Sequence, residues 1–408
     1  MKAIKVFLFC VTAIFLYSCD NGDYEMVTIA TPITQSLEDF RASVQMMDAQ
    51  SIQESGKIYS YGNYILVGDK NRGIHVIDNQ DPSNPQKKNF IKIPLNNDMS
   101  VKNNILYADS GRDLVVFDLS DIERIVQLDR INDVLNNYIE YPTVDRYNFE
   151  NYNYDHIIVG WDIESRLVPK EEDDIMLFQE DFANATGQGG SLARFKITGD
   201  HLYAVDNSLL NVFDISTLES PVKVGDQYVT WNAETIFEAN NHLFIGSTTG
   251  MFVYDISNAA SPTYVSQFDH ATFCDPVVVD GDYAYVTLRA GNECPGLINL
   301  GPQLESQLNI IDIATIETPT LRATYFLDEP YGLGIKDEKL FICDGNSGLK
   351  VYDKTDVDDL TLIDHFPNVN TFDVIPLEHQ LVMIGNNVLY QYNYANNGLE
   401  LLSQFSLN

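Results

Sequence analysis

Leu114-Val115-Val116-Phe117-Asp118 is a short apolar strand that ends in aspartate, and the chain repeats it. Ile74-His75-Val76-Ile77-Asp78 precedes it. Leu210-Asn211-Val212-Phe213-Asp214, Met251-Phe252-Val253-Tyr254-Asp255, Leu308-Asn309-Ile310-Ile311-Asp312 and Leu349-Lys350-Val351-Tyr352-Asp353 follow. A degenerate copy, Leu389-Tyr390-Gln391-Tyr392-Asn393, closes the series. Successive spacings from Asp78 to Asn393 are 40, 96, 41, 57, 41 and 40 residues, a unit of constant length interrupted twice. The six aspartates sit at strand-to-turn boundaries, where a carboxylate accepts from nearby backbone N–H groups and fixes the turn. That structural role accounts for all six together.

Around each signature the order of elements is the same. Residues 276–279 form a strand, Asp280-Gly281-Asp282 a tight turn, and Tyr283-Ala284-Tyr285-Val286 a second strand. The signature strand comes third, and a turn rich in Ser, Asn and Pro leads to a fourth. Asp78-Asn79-Gln80-Asp81-Pro82-Ser83-Asn84-Pro85 displays that turn most fully. Four short antiparallel strands per 40-residue unit make a propeller blade, and seven signatures predict seven blades. A lone four-stranded sheet with two apolar faces cannot bury both. In a closed ring each sheet covers its neighbours and few edges remain. Helical periodicity is nearly absent beyond residue 190. The expected fold is therefore all-β, a seven-bladed propeller over residues 53–408 with insertions at about 131–190 and 289–307.

This pattern resembles the LVIVD-repeat proteins, bacterial and archaeal surface propellers. The signature strands carry the resemblance, with the stretches at 56–85 and 275–288. It implies a fold and a location, and no activity.

The chain has 408 residues, 45% of them hydrophobic and 21% charged, which is globular composition. Its formal net charge of −34 repels phosphate backbones and so excludes nucleic acid bound through a basic face. Lys2 and Lys5 precede an apolar run over 6–17, too short for a permanent span. Residues 1–18 read as a secretory signal. Leu16-Tyr17-Ser18-Cys19 resembles a bacterial lipobox, which implies cleavage before Cys19 and its lipidation. Several acyl chains on one residue anchor a protein stably. Cleavage removes two lysines and no acid, so the mature charge is −36. Asp20-Asn21-Gly22-Asp23-Tyr24-Glu25 is similar to the surface-export signals of Bacteroidota lipoproteins, and also reads as a solvated tether. The expected location is the outer membrane, at the cell surface, with the lipid as the only membrane contact.

Residues 19–52 form a lead into the ring. Ser36 could cap a short helix with Glu38 and Asp39 in its first turn. Alternation through Phe40, Ala42, Val44 and Met46 favours instead a strand added where the ring closes. Cys274 and Cys294 flank a strand pair and form a candidate disulfide, whereas Cys343 lies in an apolar run as a buried thiol.

The 131–190 insertion carries Tyr138, Tyr141, Tyr147, Phe149, Tyr152, Tyr154 and Trp161. Such rings make amphipathic contacts, so Tyr147, Tyr152, Tyr154 and Trp161 are the binding candidates. The same rings could simply cover the propeller wall. Gly332-Leu333-Gly334 and Gly187-Gln188-Gly189-Gly190 lack the strand–turn–helix setting of a phosphate loop. No GxSxG, HExxH or CxxC occurs, so no catalytic residue or metal ligand is nominated. Calcium is the one cofactor with any donors in sequence, at 353–359 and 171–174, but both stretches lack the EF-hand glycine and closing glutamate. The expected function is a non-catalytic binding or scaffolding module for extracellular glycan or an envelope protein. The alternative is a carbohydrate hydrolase or lyase with acids at the axial mouth.

Overall fold

The computed structural model describes residues 24–136, 141–169, 190–270, 276–289, 305–395 and 398–408. Seven four-stranded antiparallel blades surround one axis. Blade 1 is Ser55–Tyr61, Tyr64–Asp69, Gly73–Asp78 and Gln86–Lys92, ordered from the axis outward. Blade 2 is Met99–Lys102, Ile105–Ser110, Asp113–Asp118 and Val126–Ile131. In blade 3 the strand Phe195–Thr198 pairs with His201–Asp214, which reverses at Asn207 (φ 58). Ile215 N–H closes that reversal on Asp200 O at 2.8 Å. The long strand Val222–Ala239 ends blade 3 with its first half and begins blade 4 with its second. Blades 5, 6 and 7 open with Val277–Asp280, Leu333–Lys336 and Asp373–Pro376.

The signature strands are apolar on both sides because each serves two neighbours. Leu114 and Val116 pack towards blade 3, while Val115 and Phe117 pack towards blade 1. Repeated around the ring, this gives a buried cluster between every adjacent pair of blades. The cluster joining blade 7 to blade 1 sets Val382, Ile384 and Leu389 against Ile58, Ile65 and Ile77. Polar contacts finish the seam: Ile52 N–H to Leu407 O at 2.9 Å, and Asn79 Nδ2 to Gln391 Oε1 at 2.9 Å.

No strand of the lead closes the ring, which corrects the expectation of a seam strand through Phe40, Ala42, Val44 and Met46; only its last residue, Ile52, reaches the seam. Ser36 caps the helix Leu37–Ala42, its hydroxyl accepting from Asp39 N–H at 3.1 Å. Phe40 of that helix is buried against Leu95 and Ile157. Of the lead's strands only Gln45–Asp48 joins the propeller, added to the outer edge of blade 1. Blade 7 completes its own four strands from local sequence, so the seam has no vacant position.

Alternating strands define two faces. One carries the ends of the signature strands, and the other carries the blade-to-blade crossings. The described ends of both insertions, and the junction of the lead with blade 1, lie on this second face. No helix among the described residues is long and apolar enough to cross a membrane.

Candidate functional site

On the signature face six of the seven blades repeat one device. Asp78, Asp118, Asp214, Asp255, Asp312 and Asp353 each accept the backbone N–H two residues on, at 2.5–3.0 Å. The neighbouring hydroxyl and N–H hold Asp118, Asp214, Asp255 and Asp353 below the usual carboxylate range. The turn so fixed presents the carbonyl four residues after the aspartate to the preceding blade. Tyr107 OH donates to Leu218 O, Tyr203 OH to Ala259 O and Tyr325 OH to Val357 O, each at 2.8 Å. Asn89 donates to Ile122 O and Ser266 to Ile316 O. Ser403 donates to Pro82 O at 2.6 Å across the seam. At blade 7, where Asn393 replaces aspartate, the polarity reverses: Asp364 of blade 6 accepts Leu399 N–H at 3.0 Å.

A second aspartate set, not anticipated from sequence, lies on the opposite face. Asp69, Asp109, Asp206 and Asp344 end or follow second strands, eight or nine residues before a signature aspartate. They bind the segments that join blades. Asp109 accepts from Asn97 and Asp98 N–H, and Asp344 accepts from Asp328 and Glu329 N–H. Their partners include the second signature residue: His75 for Asp69, Asn211 for Asp206 and Lys350 for Asp344. Blade 2 has Val115 there instead. Burial pushes the Asp109 carboxyl up to about 6 and also raises that of Asp206. This set has a sequence signal, an aspartate at near-constant distance from the signature. Searching for one recurring aspartate hides it.

At the axis, buried Lys57 of blade 1 pairs with buried Asp98 and donates to Met99 O at 2.8 Å. Asp98 also accepts from Arg194 and Phe195 N–H, so it fixes the chain where the long insertion re-enters the ring. The short turn Gly190–Leu192 packs against the inner strands of blades 1, 4, 5, 6 and 7. Ser191 Oγ accepts from Leu333 N–H at 2.9 Å. Asp373 is fully buried beside this turn, neither carboxyl oxygen makes a well-formed hydrogen bond, and burial holds it well above its ordinary value. Beyond the turn, towards the signature face, lies a cavity of about 630 Å³. Val278, Ile335 and Pro376 line it, with Asp280, Asp337, Glu338 and Lys354. Lys354 pairs with Asp280 at 2.5 Å. The carboxyls raised by burial, Asp109, Asp206 and Asp373, are outside this lining.

The aromatic insertion builds a separate sheet. Tyr24–Ser36 pairs antiparallel with His156–Pro169 and parallel with Arg146–Tyr147. The capped helix mounts this sheet on blade 2, Arg41 binding Asp113 at 2.8 Å and Asp133 at 3.2 Å. Trp161 stands 5.0 Å from Tyr141, 5.5 Å from Tyr147 and 5.9 Å from Phe149, ring centre to ring centre. Phe149 continues to Tyr152 at 5.7 Å, and Tyr152 to Tyr154 at 4.9 Å. The four sequence candidates thus belong to one chain of rings, ending at Tyr154, which is 87% exposed. Sequence reasoning missed a second pair, Tyr228 and Trp231, 6.5 Å apart and both exposed at a blade crossing.

Other candidates are placed as follows. Cys343 is a fully buried free thiol, its pKa pushed up by burial. Cys19, Tyr138, Cys274, Cys294 and residues 171–174 lie outside the described residues. Within 353–359, Asp353 and Asp356 each accept a turn N–H, and Asp358 accepts from Arg322. Among the described residues no cluster could hold a metal ion.

The architecture defines a β-propeller. The chain carries the LVIVD repeat at residues 54–90 and 233–270, which are blades 1 and 4. Among solved structures it is similar to a protein from Lactobacillus plantarum, at 11% identity and TM-score 0.54, covering 89% of this chain and 96% of that one. Saccharomyces cerevisiae Sqt1 is similar at 8% identity and TM-score 0.52, covering 88% and 86%. Kuenenia stuttgartiensis hydrazine synthase is similar at 14% identity and TM-score 0.51, covering 86% and 96%. At such identities the likeness concerns the fold and carries nothing about activity. No curated protein matches the chain.

Proposed function

We propose that the protein is a lipid-anchored outer-membrane lipoprotein, displayed at the cell surface, that uses its accessory sheet to bind extracellular glycan or a partner envelope protein. The observation that carries this reading is the linked chain of rings from Trp161 to Tyr154, mounted outside the ring by contacts the propeller does not need for closure. Aromatic faces offer apolar area with little conformational entropy to lose, which suits sugar rings and protein side chains. Asn148, Asn151 and Asn153 flank them with polar groups. The acidic chain is a poor fit for anionic ligands.

A second reading is a carbohydrate hydrolase or lyase, favoured by one observation: Asp280, Asp337 and Glu338 share the axial cavity. A glycan-array and turnover screen on residues 20–408 separates the two. Retention without product supports binding, and a product peak removed by Glu338→Gln supports catalysis.

A further inference from the structure

The accessory sheet has two unlike faces at the end where the chain emerges. Register pairs Tyr24 with Pro169, Met26 with Leu167, Thr28 with Ser165 and Ala30 with Ile163. These residues share one face, because directly opposed residues point the same way. The opposite face of the second strand carries Asp162, Glu164 and Arg166, with Arg166 bound to Glu164. On the first face Tyr24 is 49%, Met26 66% and Leu167 50% exposed. Thr28 and Ser165 then interrupt the stripe, and Thr28 Oγ1 donates to Asp145 at 2.7 Å. The exposed apolar patch at the last two residue pairs is thus separated by the Thr28–Ser165 step from Ile163, itself 52% exposed, and from the ring chain around Trp161.

Position names its occupant. Tyr24 is five residues beyond Cys19, and a fully extended chain covers at most about 3.5 Å per residue, or roughly 17 Å. A lipid on Cys19 therefore holds this patch within that distance of the bilayer surface. Tyr and Met beside a backbone strand suit the headgroup boundary, where an amphipathic ring keeps one end wet. The mature net charge of −36 opposes an anionic surface, so the matching lipid is zwitterionic.

We propose that Tyr24, Met26 and Leu167 seat on a zwitterionic lipid surface, so that the sheet is held at a fixed tilt instead of swinging on its anchor. The inference rests on the lipoprotein reading above. The seat begins at the anchor and ends at the Thr28–Ser165 step. It leaves Tyr147, Trp161 and Tyr154 beyond the headgroups, available to a ligand. The lipid gives attachment and the seat gives orientation.

The test uses the lipidated full chain in phosphatidylcholine vesicles, with Leu167→Trp and, on the opposite face at the same level, Arg166→Trp. Flotation reports the anchor, and quenching by brominated phosphatidylcholine reports the seat. Both variants should float, with quenching at least about twofold greater for Leu167→Trp, since Trp161 and Trp231 contribute the same background to each. Flotation with equal quenching overturns the seat and leaves the anchor standing. Failure to float overturns the anchor, and the seat with it.

Discussion

The two faces of the propeller differ in how often each contact is made. On the signature face one Asx turn is built six times, and one carbonyl clasp joins successive blades in six places. On the opposite face a second aspartate set recurs in four blades, but the contacts that hold the axis and the accessory parts are single. Lys57 meets Asp98, Asp98 holds the re-entering insertion, and Arg41 holds the accessory sheet. Repetition of this kind belongs to architecture, because a ring of similar sheets presents the same problem at each junction. What is made once has another origin, and here that includes the aromatic surface.

The largest expected effect tests the unrepeated contacts. Lys57→Ala should destabilise the protein by about 3–5 kcal/mol, because it leaves the Asp98 charge buried without its cation. Urea unfolding measures it, and a loss below about 1 kcal/mol would mean that this junction is as redundant as the others. Next is Asp109→Asn. The unfolded carboxyl titrates near 3.8 and the folded one at about 6, so the folded protein holds the proton more tightly. Wild-type stability from this group is therefore present at low pH and lost as pH rises between those values, by roughly 2–4 kcal/mol. The variant should match wild type near pH 4 and exceed it above pH 7. A gap independent of pH would show that burial does not govern this site.

Smaller effects are expected on the repeated face. Tyr107→Phe removes one clasp donor to Leu218 and should cost about 1 kcal/mol. Asp118→Ala removes one turn acceptor and should cost about 0.5–1 kcal/mol, read as a small fall in melting temperature with the cooperativity of unfolding unchanged. A loss of cooperativity in either variant would mean that single junctions control the ring, and the contrast between faces would disappear.

Legibility in sequence follows the same division. The signature strands and the tight turns are local and periodic, so spacing alone revealed them. The expected turn role of the aspartates also needed only the residue two positions on. Non-local pairing left no such trace. Nothing near Thr28 announces Ser165 as its partner, and the exposed stripe Tyr24–Met26–Leu167 exists only once that register is known. Alternation through Phe40 and Met46 pointed to a seam strand because it ignored the stronger local signal, Ser36 as a cap. The Asp69, Asp109, Asp206 and Asp344 set was masked by the louder signature behind it. Trp231 lies inside the long strand Val222–Ala239, and its exposure follows from its place at a blade crossing.

The account turns on recognition by the accessory sheet and not by the axial cavity. The direct measurement is glycan-array and envelope-protein binding by residues 20–408, by Tyr154→Ala/Trp161→Ala, and by Asp280→Asn/Glu338→Gln. The account predicts that the aromatic double variant loses at least tenfold in affinity while still unfolding cooperatively, and that the cavity variant binds as wild type does. Unchanged binding in the first and lost binding or turnover in the second would contradict it.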